Sequence, residues 1–91
     1  MTSAERAKLR GMANTMEPII HIGKEGITPA VLKQADDALT ARELIKGTVL
    51  KNCDYTAREA LNMLCEELGA EGIQAIGRRF TLYRKKPEEQ A

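Results

Sequence analysis

Two hydrophobic periodicities alternate along this chain of 91 residues, and the order of their alternation restricts the fold more than any other feature. Thr2 and Glu5 open a first helix, expected over 3–15, whose Leu9, Met12, Ala13 and Met16 share one face while Arg6, Lys8 and Arg10 point elsewhere. Pro18 closes it. Ile19-Ile20-His21-Ile22 then reads as a strand, apolar on both faces and therefore central in its sheet, with His21 a hydrogen-bonded core residue. After Gly23-Lys24-Glu25-Gly26, Thr28 is placed to cap a second helix with Pro29 at its first position, and Ile27 can staple against Leu32. Leu32, Ala35 and Leu39 carry that helix to about residue 42. A second strand is expected over Leu44 to Leu50, where Gly47 weakens it or marks a bulge or a close backbone approach. Thr56 with Glu59 forms a capping box, Leu61, Leu64, Cys65 and Leu68 make a stripe, and Gly69 suits a left-handed stop. Gly72 to Ile76 and Arg79 to Arg84, joined by Gly77-Arg78, predict an antiparallel hairpin.

The resulting order, α-β-α-β-α-β-β, contains two β-α-β crossovers, which demand parallel neighbours or near-neighbours and right-handed connections. The fold class expected is α/β, with a mixed four-stranded sheet packed by helices. Residues 1–86 fit a single domain, and 87–91 read as a disordered tail. With no Trp and one Phe, aliphatic side chains must build the core. No run approaches the ~20 apolar residues of a membrane span and the first residues lack the shape of a signal peptide, so a cytoplasmic location is expected. Cys53 and Cys65 read as free thiols.

Net charge is only +1, but the charges are segregated. Residues 53–76 hold five acidic side chains against Arg58, whereas residues 77–86 hold five basic side chains and no acidic one. A local field of that kind can recruit a polyanion when the total charge cannot; it can equally be a solvated mosaic.

The Gly23–Gly26 loop stands between a strand and a well-capped helix with Lys24 inside it. Glycines allow a bulky backbone to come close, and the adjoining helix start, capped by Thr28, favours an anion. In KH modules a GXXG loop clamps nucleic-acid phosphates, although a tight strand-to-helix turn needs glycine in any case. On the last strand, alternation sets Phe80 and Leu82 on one face and Arg79, Thr81 and Tyr83 on the other. Arginines beside an exposed tyrosine can bind phosphate and stack a base, and a charged edge strand also prevents aggregation. Arg42, Lys46 and Lys51 could extend the basic surface. One histidine and one serine, Ser3, do not make a hydrolase triad, and no grouping has metal-ligand spacing, so a non-enzymatic protein without metal or cofactor is expected.

Leu9-Arg10-Gly11-Met12-Ala13-Asn14, Glu17-Pro18-Ile19-Ile20-His21-Ile22-Gly23-Lys24-Glu25-Gly26, Ala41-Arg42-Glu43-Leu44-Ile45-Lys46, Ile76-Gly77-Arg78 and Leu82-Tyr83-Arg84, in this order over residues 5–84, resemble the YhbY-like family of CRM (chloroplast RNA splicing and ribosome maturation) domains. The resemblance implies a fold similar to the carboxyl-terminal domain of translation initiation factor three. It implies a KH-like loop at Gly23, Lys24, Glu25 and Gly26, and basic RNA-contacting positions at Arg42, Lys46, Arg78 and Arg84. It also implies association with ribosomal RNA in precursors of the large subunit. Glu25 and Gly47-Thr48 depart from the family pattern, which has neutral and basic residues there, and both changes lower the positive potential. Joined to the bottom-up reading, the expected site is Gly23, Lys24, Glu25, Gly26, Thr28, Arg42, Lys46, Arg78, Arg79, Tyr83 and Arg84. Lys24, Lys46, Arg78, Arg79 and Arg84 would neutralise phosphates, and Tyr83 would stack a base. The alternative is an adaptor whose acidic third helix docks ribosomal proteins on such precursors.

Overall fold

The computed structural model describes residues 1–86; the expected tail at 87–91 lies outside the described residues. Seven elements follow in the expected order: α1 (Ser3–Ala13), β1 (Ile20–Ile22), α2 (Pro29–Arg42), β2 (Leu44–Val49), α3 (Ala57–Leu68), β3 (Glu71–Ile76) and β4 (Arg79–Tyr83). The strands form one mixed sheet in the order β1-β2-β4-β3. β1 runs parallel to β2, while β4 is antiparallel to both β2 and β3. The second crossover thus joins parallel strands with β4 inserted between them.

Local signals explain the helix boundaries. In α3, the Thr56 hydroxyl accepts from the Glu59 N–H at 3.1 Å, the Glu59 carboxylate accepts from the Thr56 N–H at 2.9 Å, and Gly69 stops the helix at φ 63°. Thr28 caps α2 through the Val31 N–H at 3.2 Å, with Pro29 in the first turn. At α1 only half of the expected box forms: Thr2 accepts from the Glu5 N–H, and the Glu5 carboxylate takes the Thr2 hydroxyl rather than its backbone N–H. This helix ends at Ala13, short of residue 15, and Met12 is 52% exposed rather than buried.

The helices cover the two sheet faces unequally. α2 and α3 pack on one face over Ile20, Ile22, Ile45, Val49, Phe80 and Leu82, the main core. Gly47 lies in this face opposite Phe80, and a Cβ there would stand 2.4 Å from the ring. The glycine is therefore a close backbone approach that makes room for the chain's one phenylalanine. α1 crosses the other face, where Ala13, Leu44 and Ile73 form a smaller cluster with Leu9, Met16 and Tyr83 packed against it. A register shift between Gly72 and Gln74 leaves Ile73 as an extra residue in β3, turned into that smaller cluster.

Three expectations are corrected. β1 is an edge strand, not a central one, and His21 is exposed, not part of the core. β1 is an edge because it pairs with β2 alone, and His21 is exposed because α1 crosses the β2 and β3 part of that face and leaves β1 uncovered. Tyr83 is not an exposed platform either: α1 half-buries it against Leu44 and Ile73.

Candidate nucleic-acid interface

The register brings separated segments to one end of the sheet. Ile22 pairs with Val49, the Leu50 N–H donates to the Ile22 carbonyl, and the space beside Gly23 is bounded by Leu50 and Asn52. The 23–26 loop therefore lies beside the carboxyl end of β2, next to Lys51. On the other side of that end, the Val49 N–H and the Thr48 hydroxyl both donate to the Arg78 carbonyl, at 2.8 and 3.2 Å. β1 and β4 flank the same strand, so the loop and the β3–β4 turn are two strand spacings apart, roughly 10 Å. Lys24, Lys51, Arg78 and Arg79 are exposed, and none of them donates a side-chain hydrogen bond to a described residue.

The loop closes as a four-residue turn in which the Gly26 N–H donates to the Gly23 carbonyl at 3.0 Å, with Lys24 and Glu25 at its exposed tip. Its two glycines do different things. Gly26 has φ 71° and a Cβ there would lie 2.7 Å from the Tyr55 ring, so both conformation and space require glycine. Gly23 has neither need: a Cβ there would make ordinary contacts at 3.6 and 3.7 Å. What the missing side chain at Gly23 leaves is access to the backbone from solvent. Within α2, Pro29 has no N–H, the Val31 and Leu32 N–H groups go to Thr28, and the Ala30 N–H remains for an outside acceptor. The Thr28 hydroxyl is thereby occupied in capping.

Next to this edge, past the end of α1, the outermost row on the α1 face of the sheet is open, while the row behind it runs under the end of the helix. His21, Thr48, Arg79 and Ile76 form the outermost cross-strand row, and Lys46, Thr81 and Gln74 form the next. The Lys46 ammonium donates to the Ala13 carbonyl at 3.1 Å and ties the end of α1 to the sheet.

The remaining predicted residues sit at the opposite end. Leu44 pairs with Tyr83 and the Arg84 N–H donates to the Glu43 carbonyl, which places Arg42, Tyr83 and Arg84 where β2 begins. Arg84 is engaged internally: its guanidinium donates to the Asp36 carboxylate at 2.7 Å, the Leu68 carbonyl at 3.0 Å, the Thr40 hydroxyl at 3.0 Å and the Asp36 carbonyl at 3.1 Å. It joins β4 to α2 and to the carbonyl end of α3, where a cation is favourable. Arg42 is exposed in the last turn of α2. Gly23, Lys24, Glu25, Gly26, Thr28, Arg78 and Arg79 are thus assembled at one end, Lys46 lies on the α1 face between, and Arg42, Tyr83 and Arg84 stand apart. Sequence reasoning assigned His21 to the core and gave Thr48, Gln74 and Ile76 no part in the site; cross-strand pairing brings them into the two rows on the α1 face.

Among the described residues, no three His, Cys, Asp or Glu side chains converge to hold a metal, and no helix is long and apolar enough to cross a membrane.

Comparison with known proteins shows that the CRS1/YhbY (CRM) domain profile matches residues 1–84. The chain belongs to this family. It is 34% identical over 88 residues to the Bacillus subtilis protein named Probable RNA-binding protein YqeI, covering 97% of this chain and 92% of that one. A Haemophilus influenzae protein named RNA-binding protein is 32% identical over 91 residues, covering 100% of this chain and 90% of its own length. The solution structure of the Staphylococcus aureus protein SAV1595, described as a candidate RNA-binding protein, superposes with a TM-score of 0.81 at 38% identity, over 99% of this chain and 94% of that one. The α/β class with a mixed four-stranded sheet, inferred from the element order, is the one the structure has.

Proposed function

We propose that this protein binds single-stranded or looped RNA at the sheet end formed by the 23–26 loop and the β3–β4 turn. The observation that carries the reading is the convergence of exposed Lys24, Lys51, Arg78 and Arg79, none bonded to a described side chain or backbone group, beside the glycine-lined turn and the start of α2. Phosphates would meet the exposed loop backbone and the four cations. The names of the relatives over nearly their full length support RNA as the polyanion. Arg84 and Tyr83 support the fold rather than the contact, because their side chains are engaged with α2, α3 and α1.

The RNA is taken to be ribosomal, in precursors of the large subunit, as the CRM resemblance implies, and binding to be non-enzymatic. The test is sedimentation of a lysate through a sucrose gradient with and without ribonuclease, followed by crosslinking. The protein should travel with large-subunit precursors, leave them on nuclease treatment, and crosslink to RNA through Lys24 or the 78–79 turn. Migration that survives nuclease would instead support the adaptor reading through α3.

A further inference from the structure

The last turn of α1 overhangs the sheet and encloses a cavity of about 180 Å³. The end of α1 contributes Ala13 and Asn14, and the sheet contributes Lys46, Thr81 and Gln74 from one row with exposed Arg79 and Ile76 from the next. It is smaller than the ~300–1,000 Å³ typical of ligand pockets, so its capacity is one planar group. Thr81 gives the most informative observation. This residue is only 3% exposed, yet its hydroxyl bonds to no described residue and is not sealed from solvent. Among the described residues, the hydroxyl is thus the one side-chain polar atom of a buried residue left free to bond a molecule that enters from solvent. Here its outlet is the cavity. Gln74 and Asn14 add amides that both donate and accept, Ile76 is 65% exposed as an apolar surface, and Arg79 offers a flat cation at the entrance.

This mixture suits a nucleobase better than a phosphate. A phosphate would want donors alone, whereas the Thr81, Gln74 and Asn14 side chains together match the donor and acceptor edge of an unpaired base. The position also fits. From Lys46 and Thr81 to the level of Gly23 is four residues along the strands, about 13 Å, and the intervening row is His21, Thr48 and Arg79. A strand held at the loop could reach the cavity within a few nucleotides.

We propose that this cavity receives one unpaired base of the bound RNA, read by Thr81, Gln74 and Asn14 and covered by Arg79. The proposal rests on the RNA-binding reading above and adds a base-dependent subsite to it. The test uses the full chain in fluorescence titrations against labelled single-stranded RNA hexamers of each homopolymer and an abasic hexamer with the same ribose-phosphate backbone. At least one homopolymer should bind roughly tenfold tighter than the abasic strand, within the range for a single base contact. Thr81→Val and Gln74→Ala should each lower affinity for that homopolymer several-fold, leaving the abasic affinity and the salt dependence unchanged. Thr81→Val should melt no lower than the parent, since its hydroxyl has no partner in the protein. If it does melt lower, half-buried Gln74 carries the comparison. Equal affinity for abasic and base-bearing strands, or variants that weaken both alike, would overturn the subsite while leaving RNA binding intact. No affinity for any of these strands would remove both readings together.

Discussion

At one end of the sheet Arg84 gathers four acceptors within 3.1 Å, while at the other Lys24, Arg78 and Arg79 hold none among the described residues. Both sets are basic, and Arg78 and Arg84 lie only six positions apart. The hairpin geometry separates them. β4 carries the chain the length of the sheet between the two, from the level of Thr48 to that of Leu44. Positive charge near the carboxyl end is therefore two different things: a clamp that joins α2, α3 and β4, and a pair of uncommitted cations facing the loop. A guanidinium already surrounded by acceptors gains little from a phosphate, whereas one held only by water gives up less to take it.

The largest expected effect separates these roles. Arg84→Ala should cost roughly 2–3 kcal/mol in denaturant unfolding, because it removes several charge-assisted hydrogen bonds, and the folded fraction should bind RNA as the parent does. Intact stability with lost binding would reverse the assignment of the two ends.

Within the loop, Gly26→Ala should lower stability by about 2 kcal/mol through the left-handed φ and the Tyr55 ring. Gly23→Ala should leave the thermal midpoint unchanged and weaken RNA binding, since the position has room for a methyl group in the free protein. A fall in stability at Gly23 would show the first glycine to be structural as well.

A smaller effect is expected from Glu25→Gln, which removes the one negative charge at the loop tip and should raise RNA affinity about two- to threefold at low salt. No change would place the bound phosphates away from the tip.

Smallest is a control away from the loop end, on α3 one turn before the Leu68 carbonyl that Arg84 takes. Burial, reinforced by the Glu71 carboxylate, pushes the Cys65 thiol up to about 11. Because the folded value lies above that of the unfolded chain, this group leaves stability unaltered at neutral pH and lowers it as pH rises from about 9 towards 11, where the unfolded state sheds its proton first. Iodoacetamide at pH 8 should label Cys65 slowly in the native protein and quickly in denaturant. Rapid native labelling would contradict the burial.

Much of the fold could be read from local chemistry: Thr28-Pro29, Thr56 with Glu59, and Gly69 act within a turn of themselves, so their signals are complete in sequence. The family resemblance implied the fold that is found, and it also made the 23–26 loop a candidate site. What local patterns could not show was which strand lies at the edge, because a short isoleucine-rich run such as Ile19-Ile20-His21-Ile22 looks alike in central and edge strands. That missing fact misplaced His21. Nor could alternation on β4 show that α1 covers Tyr83 and roofs Thr81 while leaving Arg79 open, since that depends on where a helix about seventy residues upstream crosses the sheet. Arg84 read as a surface cation because its partners Asp36, Thr40 and Leu68 come from two other elements.

The division between the two ends is tested most directly by the salt dependence of RNA affinity. The parent, Lys24→Ala/Arg78→Ala and Arg42→Ala should be titrated with one structured ribosomal RNA fragment at several salt concentrations. Each phosphate contact on a single strand contributes about −0.7 to the slope of log K against log salt. The double variant should flatten the slope by about 1.4, and Arg42→Ala should reproduce the parent line. An unchanged slope in the double variant, or a flattening confined to Arg42→Ala, would contradict the assignment of RNA to the loop end.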